Sequence, residues 1–320
     1  MAFLFYIFRV DSLKTLIPSC LLVSLLSNVF VLLFMILNTG QPLRLCNMLI
    51  TPAWGRNIMP ASMFTTAFFS MLICFILLCI QLAPVMLTHR AFAKNDNARI
   101  AANFMKKLIW IPAAAFFFFT VIAHGSFGGG IWESLHTRAF WHREYYSLFI
   151  TAIAAAAGGG VMFILCIASF HAEKYPASAI ASIRTIAKRI FIIYCIIRLT
   201  DLSLLTIGLL DERGLWGIWG GYFGLWALIL EFCLAAASLC LLSGKTPFFI
   251  RAGALCGVSA VITARVSTML QGFSIPEFPW DGFAFYLPAP AEIAAIPAAI
   301  VLMILAYGWI AGRFKIFPDA

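Results

Sequence analysis

Long stretches of apolar residues constrain this chain more than any other feature of its sequence. They lie near residues 14–37, 60–87, 104–124, 146–171, 187–210, 217–243, 249–273 and 289–312. A helix needs roughly 20 apolar residues to cross hydrocarbon, where backbone N–H and C=O groups must bond within the segment. These runs are long and continuous, and do not alternate as barrel strands do. The sequence therefore predicts an all-α integral membrane protein with about eight transmembrane helices.

The charged residues are few and unevenly distributed. Only 11% of the residues are charged and 63% are hydrophobic, far from the balance of a soluble domain. The net charge of +9 comes from basic residues scattered over short loops, so membrane orientation explains it better than a nucleic-acid partner does. On the side opposite the termini, the loops carry only Arg44, Arg56, Arg138, Arg143 and Arg213. Because positive loops stay inside, both termini are expected to be cytoplasmic.

A basic linker around residues 171–189 divides the predicted helices into two sets of four. We therefore expect two four-helix bundles, one in residues 1–175 and the other in residues 176–320. The longer loops, rich in Gly, Pro, Trp and Tyr, fall on the outer side. They fit either an interfacial aromatic belt or a docking surface for another protein.

Ionisable residues within the predicted spans are the first candidates for function. Arg198, Asp201, Glu231 and Arg265 lie inside spans of the second half, and Glu292 lies near the outer end of the last span. A charge in the bilayer core costs about 2.5 to 3.5 kcal/mol on insertion scales, so each needs a partner or a purpose. Arg198 and Asp201 are three residues apart and share a helix face. The set can form a neutral network that either carries protons or fixes the packing of the helices.

The first half offers side chains suited to a quinone headgroup, whose carbonyl oxygens need hydrogen-bond donors and a nearby proton carrier. Asn28 lies within the first span, and His124 ends the third span on the outer side. The outer loop that follows contains Glu133, Tyr145 and Tyr146. These five residues are the predicted quinone-binding set. A histidine at the membrane interface, such as His124, can instead have a purely structural role.

Haem, iron-sulfur and metal sites are not expected in this chain. His89 and His171 fall at cytoplasmic ends of spans, whereas His124, His136 and His142 fall on the outer side, so no two share a depth within spans. The cysteines lie almost entirely in apolar spans, and no Cys-x-x-Cys occurs. We interpret them as small apolar side chains.

Several segments, in order along most of the chain, resemble the NrfD family of membrane subunits, which includes those of polysulfide reductase and the HybB-type hydrogenase anchor. The matching features are Asn38-Thr39-Gly40-Gln41-Pro42-Leu43-Arg44 with Met48-Leu49, Tyr194 with Arg198-Leu199 and Asp201, Glu231, Arg265 before Gln271-Gly272, Tyr286-Leu287-Pro288 before Glu292, and Phe317-Pro318. The chain departs from the family where Asn38 and Gln41 replace an aspartate and an arginine, and only one span precedes that loop.

The resemblance implies a haem-free subunit that is not catalytic alone and exchanges electrons between menaquinone or ubiquinone and an extracytoplasmic partner. That partner would be a ferredoxin-like iron-sulfur protein, with a molybdopterin enzyme, hydrogenase or multihaem cytochrome in some complexes. The first bundle would hold the quinone and its outer loops the partner, while Arg198, Asp201, Glu231, Arg265 and Glu292 would form a proton path. The implied location is a bacterial or archaeal inner membrane, within a respiratory complex.

Two other classes of function remain open from the residues alone. A secondary transporter would use the buried Arg, Asp and Glu side chains to bind a solute or couple ions, and inverted repeats with broken helices would mark it. A purely structural anchor would use the same charges to hold its helices together.

Overall fold

The computed structural model describes residues 1–38, 63–87, 96–133, 135, 138–142, 147–278, 281–285, 289–314 and 316. Within these ranges every regular element is helical. The α-helices are α1 (Ala2–Tyr6), α2 (Ile17–Asn38), α3 (Met63–Leu87), α4 (Asp96–Leu108), α5 (Trp110–Gly125), α6 (Ile131–Glu133), α7 (Ser147–Phe170), α8 (Ala177–Trp219), α9 (Leu225–Leu241), α10 (Pro247–Ser274) and α11 (Pro290–Arg313). Short 3-10 helices occupy Asp11–Leu16 and Ala172–Lys174, and a π-helical turn, Ser126–Gly130, joins α5 to α6.

The predicted spans all coincide with helices. Those long and apolar enough to cross a membrane are Asp11–Ile36, Met63–Leu87, Trp110–Glu133, Ser147–Phe170, Ala177–Trp219 and Pro247–Ser274, 6 in the described part of the chain. Leu225–Leu241 and Pro297–Arg313 are shorter apolar helices. The all-helical, multi-pass character of the prediction is thus confirmed, whereas eight crossings and cytoplasmic termini stay predictions.

Two predicted boundaries, the starts of the third and sixth spans, differ from the observed ones at a proline and at a glycine turn. The predicted third span began at residue 104, yet α4 ends at Leu108 and α5 starts at Trp110. Pro112 has no N–H to donate to the carbonyl four residues earlier, so the helix is interrupted there. The predicted break at residues 211–216 contains Gly214, whose non-helical φ of 67° separates two helical segments within Ala177–Trp219. The predicted sixth span began at residue 217, yet α9 starts at Leu225. The turn before α9 uses Gly221, with φ 74°.

The chain forms two compact units, one of residues 1–123, 173–179 and 289–320, the other of residues 124–172 and 180–288. In the first unit, Ile17 and Leu21 of α2 pack with Leu78 and Leu82 of α3. The Ser19 hydroxyl lies 2.6 Å from the Tyr175 hydroxyl. Burial raises the pKa of Tyr175, so this phenol stays protonated at neutral pH.

In the second unit, small residues let α7, α8, α9 and α10 approach closely. A Cβ on Gly158 would lie 3.0 Å from the Cβ of Tyr194, and one on Gly159 would lie 3.0 Å from a Val261 methyl. The Ser238 hydroxyl donates to the carbonyl of Gly253 at 2.7 Å. Membrane helices associate through such small-residue contacts because lipid gives no hydrophobic drive for pairing them.

The end of the second unit near Trp219 is closed by aromatic rings. Trp141 contacts Trp132, with ring centroids 4.9 Å apart, and stacks edge-on against Phe273 at 4.7 Å. The Trp141 indole N–H donates to the Thr268 carbonyl at 3.1 Å. Trp132, Trp141 and Phe273 form an aromatic plug. It lies against Gly272, where any side chain would overlap the Trp141 ring.

Candidate functional site

A buried ion cluster lies at the centre of the second unit. Arg198 is 3% exposed, Asp201 2% and Glu231 1%. The Arg198 guanidinium donates to both Glu231 carboxylate oxygens, through Nε at 2.9 Å and Nη2 at 3.1 Å. Its Nη1 donates to Asp201 Oδ2 at 3.2 Å. A forked, charge-assisted geometry of this kind is the strongest that these side chains form.

Three helices build the cluster. Arg198 and Asp201 stand three residues apart on α8 and so share a face, as predicted. Glu231 enters from α9, and Thr268 of α10 accepts a further hydrogen bond from Arg198 Nη2 at 3.1 Å. One guanidinium therefore ties α8 to both neighbouring helices. Thr268, its third partner, was not among the residues predicted from the sequence.

Arg265, expected in the same network, makes its direct hydrogen bonds elsewhere. Its Nη1 donates to the Gly128 carbonyl at 2.9 Å and its Nη2 to the Ala152 carbonyl at 2.7 Å. Gly128 lies in the π turn, which takes carbonyl groups out of the regular helical ladder. The Arg265 charge still acts on Asp201 and Arg198 at longer range. Of the four residues predicted to form a neutral network, Arg198, Asp201 and Glu231 are in direct contact. Arg265 is a more distant cation, bound to backbone carbonyls.

The carbonyls bound by Arg265 give a first testable consequence. Arg265→Leu would remove the two buried, charge-assisted hydrogen bonds to the Gly128 and Ala152 carbonyls, which is expected to cost about 2 kcal/mol of stability. Thermal unfolding in detergent should show a lowered midpoint for this variant. Arg265→Lys retains a donor for one carbonyl, so its unfolding midpoint should lie between those of the wild type and of Arg265→Leu. An unchanged midpoint for Arg265→Leu would contradict the two hydrogen bonds assigned to Arg265.

Polar groups beside the cluster extend it toward the aromatic plug. The Tyr194 hydroxyl and the Gln271 side-chain oxygen are buried without a hydrogen-bond partner in the described ranges. Gln271 donates through Nε2 to the carbonyls of Ile218 and Gly220, at 2.8 and 3.0 Å. A cavity of about 10 Å³ lies against Arg198, Ser267, Thr268 and Gln271. That is about the space one water molecule requires.

The described members of the predicted quinone-binding set are divided between the two compact units. His124 and Glu133 belong to the second unit, whereas Asn28 belongs to the first. His124 ends α5 next to the π turn, within electrostatic range of Arg265. Glu133 is 6% exposed, and its Oε1 accepts the Leu148 N–H at 2.7 Å, at the start of α7. Tyr145 and Tyr146 lie outside the described residues.

Asn28 of α2 is a buried amide of the first unit with unused hydrogen-bonding capacity. It is 8% exposed, and among the described residues its Nδ2 donates to the Met71 thioether sulfur, at 3.4 Å. Its Oδ1 has no hydrogen-bond partner in the described part of the chain. Sulfur is a weak acceptor, so this amide can exchange it for a better one.

Glu292, the remaining member of the predicted proton path, lies on α11 in the residues of the first unit. Its side chain lies outside what the structure describes. Arg198, Asp201 and Glu231 are therefore the members of that path that are in direct contact within the described residues.

Comparison with known proteins supports a membrane protein. The chain is 26% identical over 338 aligned positions to the "Menaquinone reductase, integral membrane subunit" of Nitratidesulfovibrio vulgaris strain Hildenborough. The alignment covers 98% of this chain and 78% of that relative. No family model and no solved structure matches the chain. The apolar helices and this relative together indicate a multi-pass integral membrane protein.

Proposed function

We propose that this chain is a quinone-interacting membrane subunit of a respiratory oxidoreductase complex. It would exchange electrons between menaquinone or ubiquinone and an extracytoplasmic iron-sulfur partner, without haem of its own. The observation that carries the proposal is the similarity, over 98% of the chain, to a protein named as the integral membrane subunit of a menaquinone reductase. The ordered NrfD-like motifs of the sequence point to the same class.

The chemistry around Asn28 fits a quinone headgroup. A quinone brings two carbonyl oxygens on an apolar ring and, on reduction, takes up two electrons and two protons. Asn28 offers an amide that donates and accepts, and Met71 holds it only weakly. Val31 and Leu32, one turn further along α2, pack on Met35 and Phe68 and provide apolar surroundings. Asn28 would therefore orient the headgroup while its neighbours exclude water.

His124 would serve as a proton carrier on the same reasoning. A neutral imidazole has one donor and one acceptor nitrogen, so it can pass a proton without changing its position. Glu133, Tyr145 and Tyr146 are the remaining candidates for quinone binding that the sequence predicts. In the second unit, Arg198, Asp201 and Glu231 would hold and pass protons, with Arg265 as a further member. Glu292, in the first unit, is the remaining residue of the predicted proton path.

The proposed topology follows from the charge of the loops. Eight crossings would place both termini in the cytoplasm of a bacterium or archaeon and the longer loops outside its inner membrane. Those loops would dock the iron-sulfur subunit and, in some complexes, a molybdopterin enzyme, hydrogenase or multihaem cytochrome. The partner would carry the electrons between its own metal centres and the quinone.

Quinone-dependent electron transfer by the purified complex tests this function. Asn28→Leu removes the amide and is expected to raise the KM for a soluble quinone analogue about tenfold, the equivalent of one buried hydrogen bond. Asn103→Leu, an exposed position on α4, is the matched control and should leave the KM unchanged. Equal values for the two variants would contradict a quinone site at Asn28, and no quinone dependence in the wild-type complex would contradict the function.

The role of the ion cluster is tested by isosteric neutral substitutions. Asp201→Asn and Glu231→Gln retain shape and hydrogen-bonding groups but cannot ionise. If the cluster carries protons, turnover should fall at least tenfold while the subunits still assemble, as measured by size-exclusion chromatography of the complex. If assembly fails and activity per assembled complex stays normal, the cluster is structural.

A further inference from the structure

Charge is distributed asymmetrically along the second unit. At the end where α7 and α9 finish and α10 begins, its described basic residues are Arg184, Lys188, Arg189, Lys245 and Arg251. Its described carboxylates lie mid-helix or at the opposite end: Glu133, Asp201, Asp211, Glu212, Glu231, Glu277 and Asp281. The turn that links α7 to α8 adds Glu173 and Lys174, which contribute no net charge. This end is therefore strongly and locally cationic.

Two of these cations converge on one turn. Arg184 and Lys188 are four residues apart on α8, so both project from one face. Arg184 donates to the carbonyls of Leu242 and Ser243, at 2.8 and 3.2 Å, and Lys188 to the Ser243 hydroxyl at 2.8 Å. Within these contacts, Arg184 Nη1 and two protons of the Lys188 ammonium stay available. Lys245 follows Ser243 by two residues and is exposed.

An apolar surface adjoins the cations. Continuing along α8 in steps of four, Ile192 is 38% and Ile196 58% exposed. On the other side, Phe248 at the start of α10 is 71% exposed. A positively charged turn with exposed isoleucines on its membrane side matches a molecule with an anionic head and a hydrocarbon tail. A nucleic acid or an acidic protein segment would gain nothing from the isoleucines.

We propose that Arg184, Lys188 and Lys245 bind the phosphate headgroup of an anionic phospholipid, with one acyl chain along Ile192 and Ile196. Basic pockets between membrane helices on the cytoplasmic side are suited to such lipids. The predicted orientation places this end in the cytoplasmic leaflet, and the ligand would anchor α8, which carries Arg198 and Asp201. The proposal is independent of the quinone chemistry.

Native mass spectrometry of the detergent-purified complex tests the site. Phosphatidylglycerol is titrated against the wild type and against Arg184→Gln/Lys188→Gln, with phosphatidylcholine and sodium phosphate as comparison ligands. Each removed cation contributes about 1 kcal/mol near an anionic surface, so the double variant is expected to bind phosphatidylglycerol about thirtyfold more weakly. Wild type should prefer phosphatidylglycerol to phosphatidylcholine, and sodium phosphate should not compete.

The control is Lys106→Gln/Lys107→Gln, which removes the same charge from exposed positions of α4. It should retain wild-type binding, and an equal loss in both double variants would overturn the proposal. Equal binding of the two phospholipids, or displacement by sodium phosphate, would also overturn it. Because Arg184 also binds the end of α9, Lys245→Gln provides a variant without such contacts, for which we expect about a fivefold loss. Unchanged binding by that variant would remove Lys245 from the site.

Discussion

Arg198→Met is expected to destabilise the chain more than any other substitution in the second unit. The change leaves Asp201 and Glu231 buried without the guanidinium that neutralises them and that links α8 to α9 and α10. Removing one member of a buried ion pair costs about 3 to 5 kcal/mol, because the remaining charge keeps its desolvation penalty. The yield of folded protein and the thermal midpoint in detergent should both fall steeply.

Two further variants separate this effect from a general loss of charge. Arg99→Met removes an arginine whose pair with Asp96 is 71% and 79% exposed, and should change stability by less than about 1 kcal/mol. The triple variant Arg198→Met/Asp201→Leu/Glu231→Met replaces the whole cluster by apolar groups and should recover most of the stability. A stable Arg198→Met single variant would contradict the described ion cluster.

Gly129→Leu is the second substitution expected to have a large effect. Gly129 lies in the π turn, where a Cβ would overlap the carbonyl of Leu148 and sit 2.5 Å from the Cα of Phe149. These are backbone atoms, so no rotamer change relieves the overlap and the two segments must separate. Overpacking typically costs about 1 to 3 kcal/mol, and we expect the upper end or more here. Proteolysis and thermal unfolding in detergent would report the loss.

Gly160→Leu on α7 is the matched control. Apart from the backbone of its own helix, no heavy atom of the described residues lies within 4 Å of a Cβ at this position, and leucine is the better helix former by nearly 1 kcal/mol. This variant should be neutral or slightly stabilised. If Gly129→Leu behaved like Gly160→Leu, the close approach of the π turn to the start of α7 would be refuted.

Sequence alone predicted the helices and the core of the ion cluster, because both depend on local spacing. Arg198 and Asp201 are three apart on α8, and the neutral network expected with Glu231 agrees with its forked bond to Arg198. Arg265 could not be placed in this way. Its acceptors are backbone carbonyls, one of them in a π turn, and backbone geometry of that kind leaves no distinct residue type in the sequence.

The misplaced boundaries had partial signals in the sequence. Pro112 marks the interruption between α4 and α5, and with it the division between a basic amphipathic helix and an apolar one. The predicted break at residues 211–216 coincides with Gly214, where the backbone leaves helical geometry before a further helical turn to Trp219. Beside this break, Arg213 donates to the carbonyls of Pro276 and Glu277, at 2.8 and 3.2 Å.

Gln271 illustrates why the hydrogen-bond partners of a buried side chain are difficult to infer from residue spacing. In the sequence it stands only in a motif that resembles one of the NrfD family, yet in the structure its amide nitrogen bonds the end of α8 and the residue lines the cavity beside Arg198. Gln271 and the two carbonyls that it binds are more than 50 positions apart in the sequence. The tertiary packing of α8 against α10 brings them together.

The identity of the proteins that co-purify with this chain tests the central claim most directly. The chain, tagged and extracted from its native membranes in mild detergent, should bring with it a subunit containing iron-sulfur clusters, detected by subunit mass and by iron content. Recovery of the chain without any redox partner, together with solute uptake by the chain alone in liposomes, would contradict the account and identify a transporter.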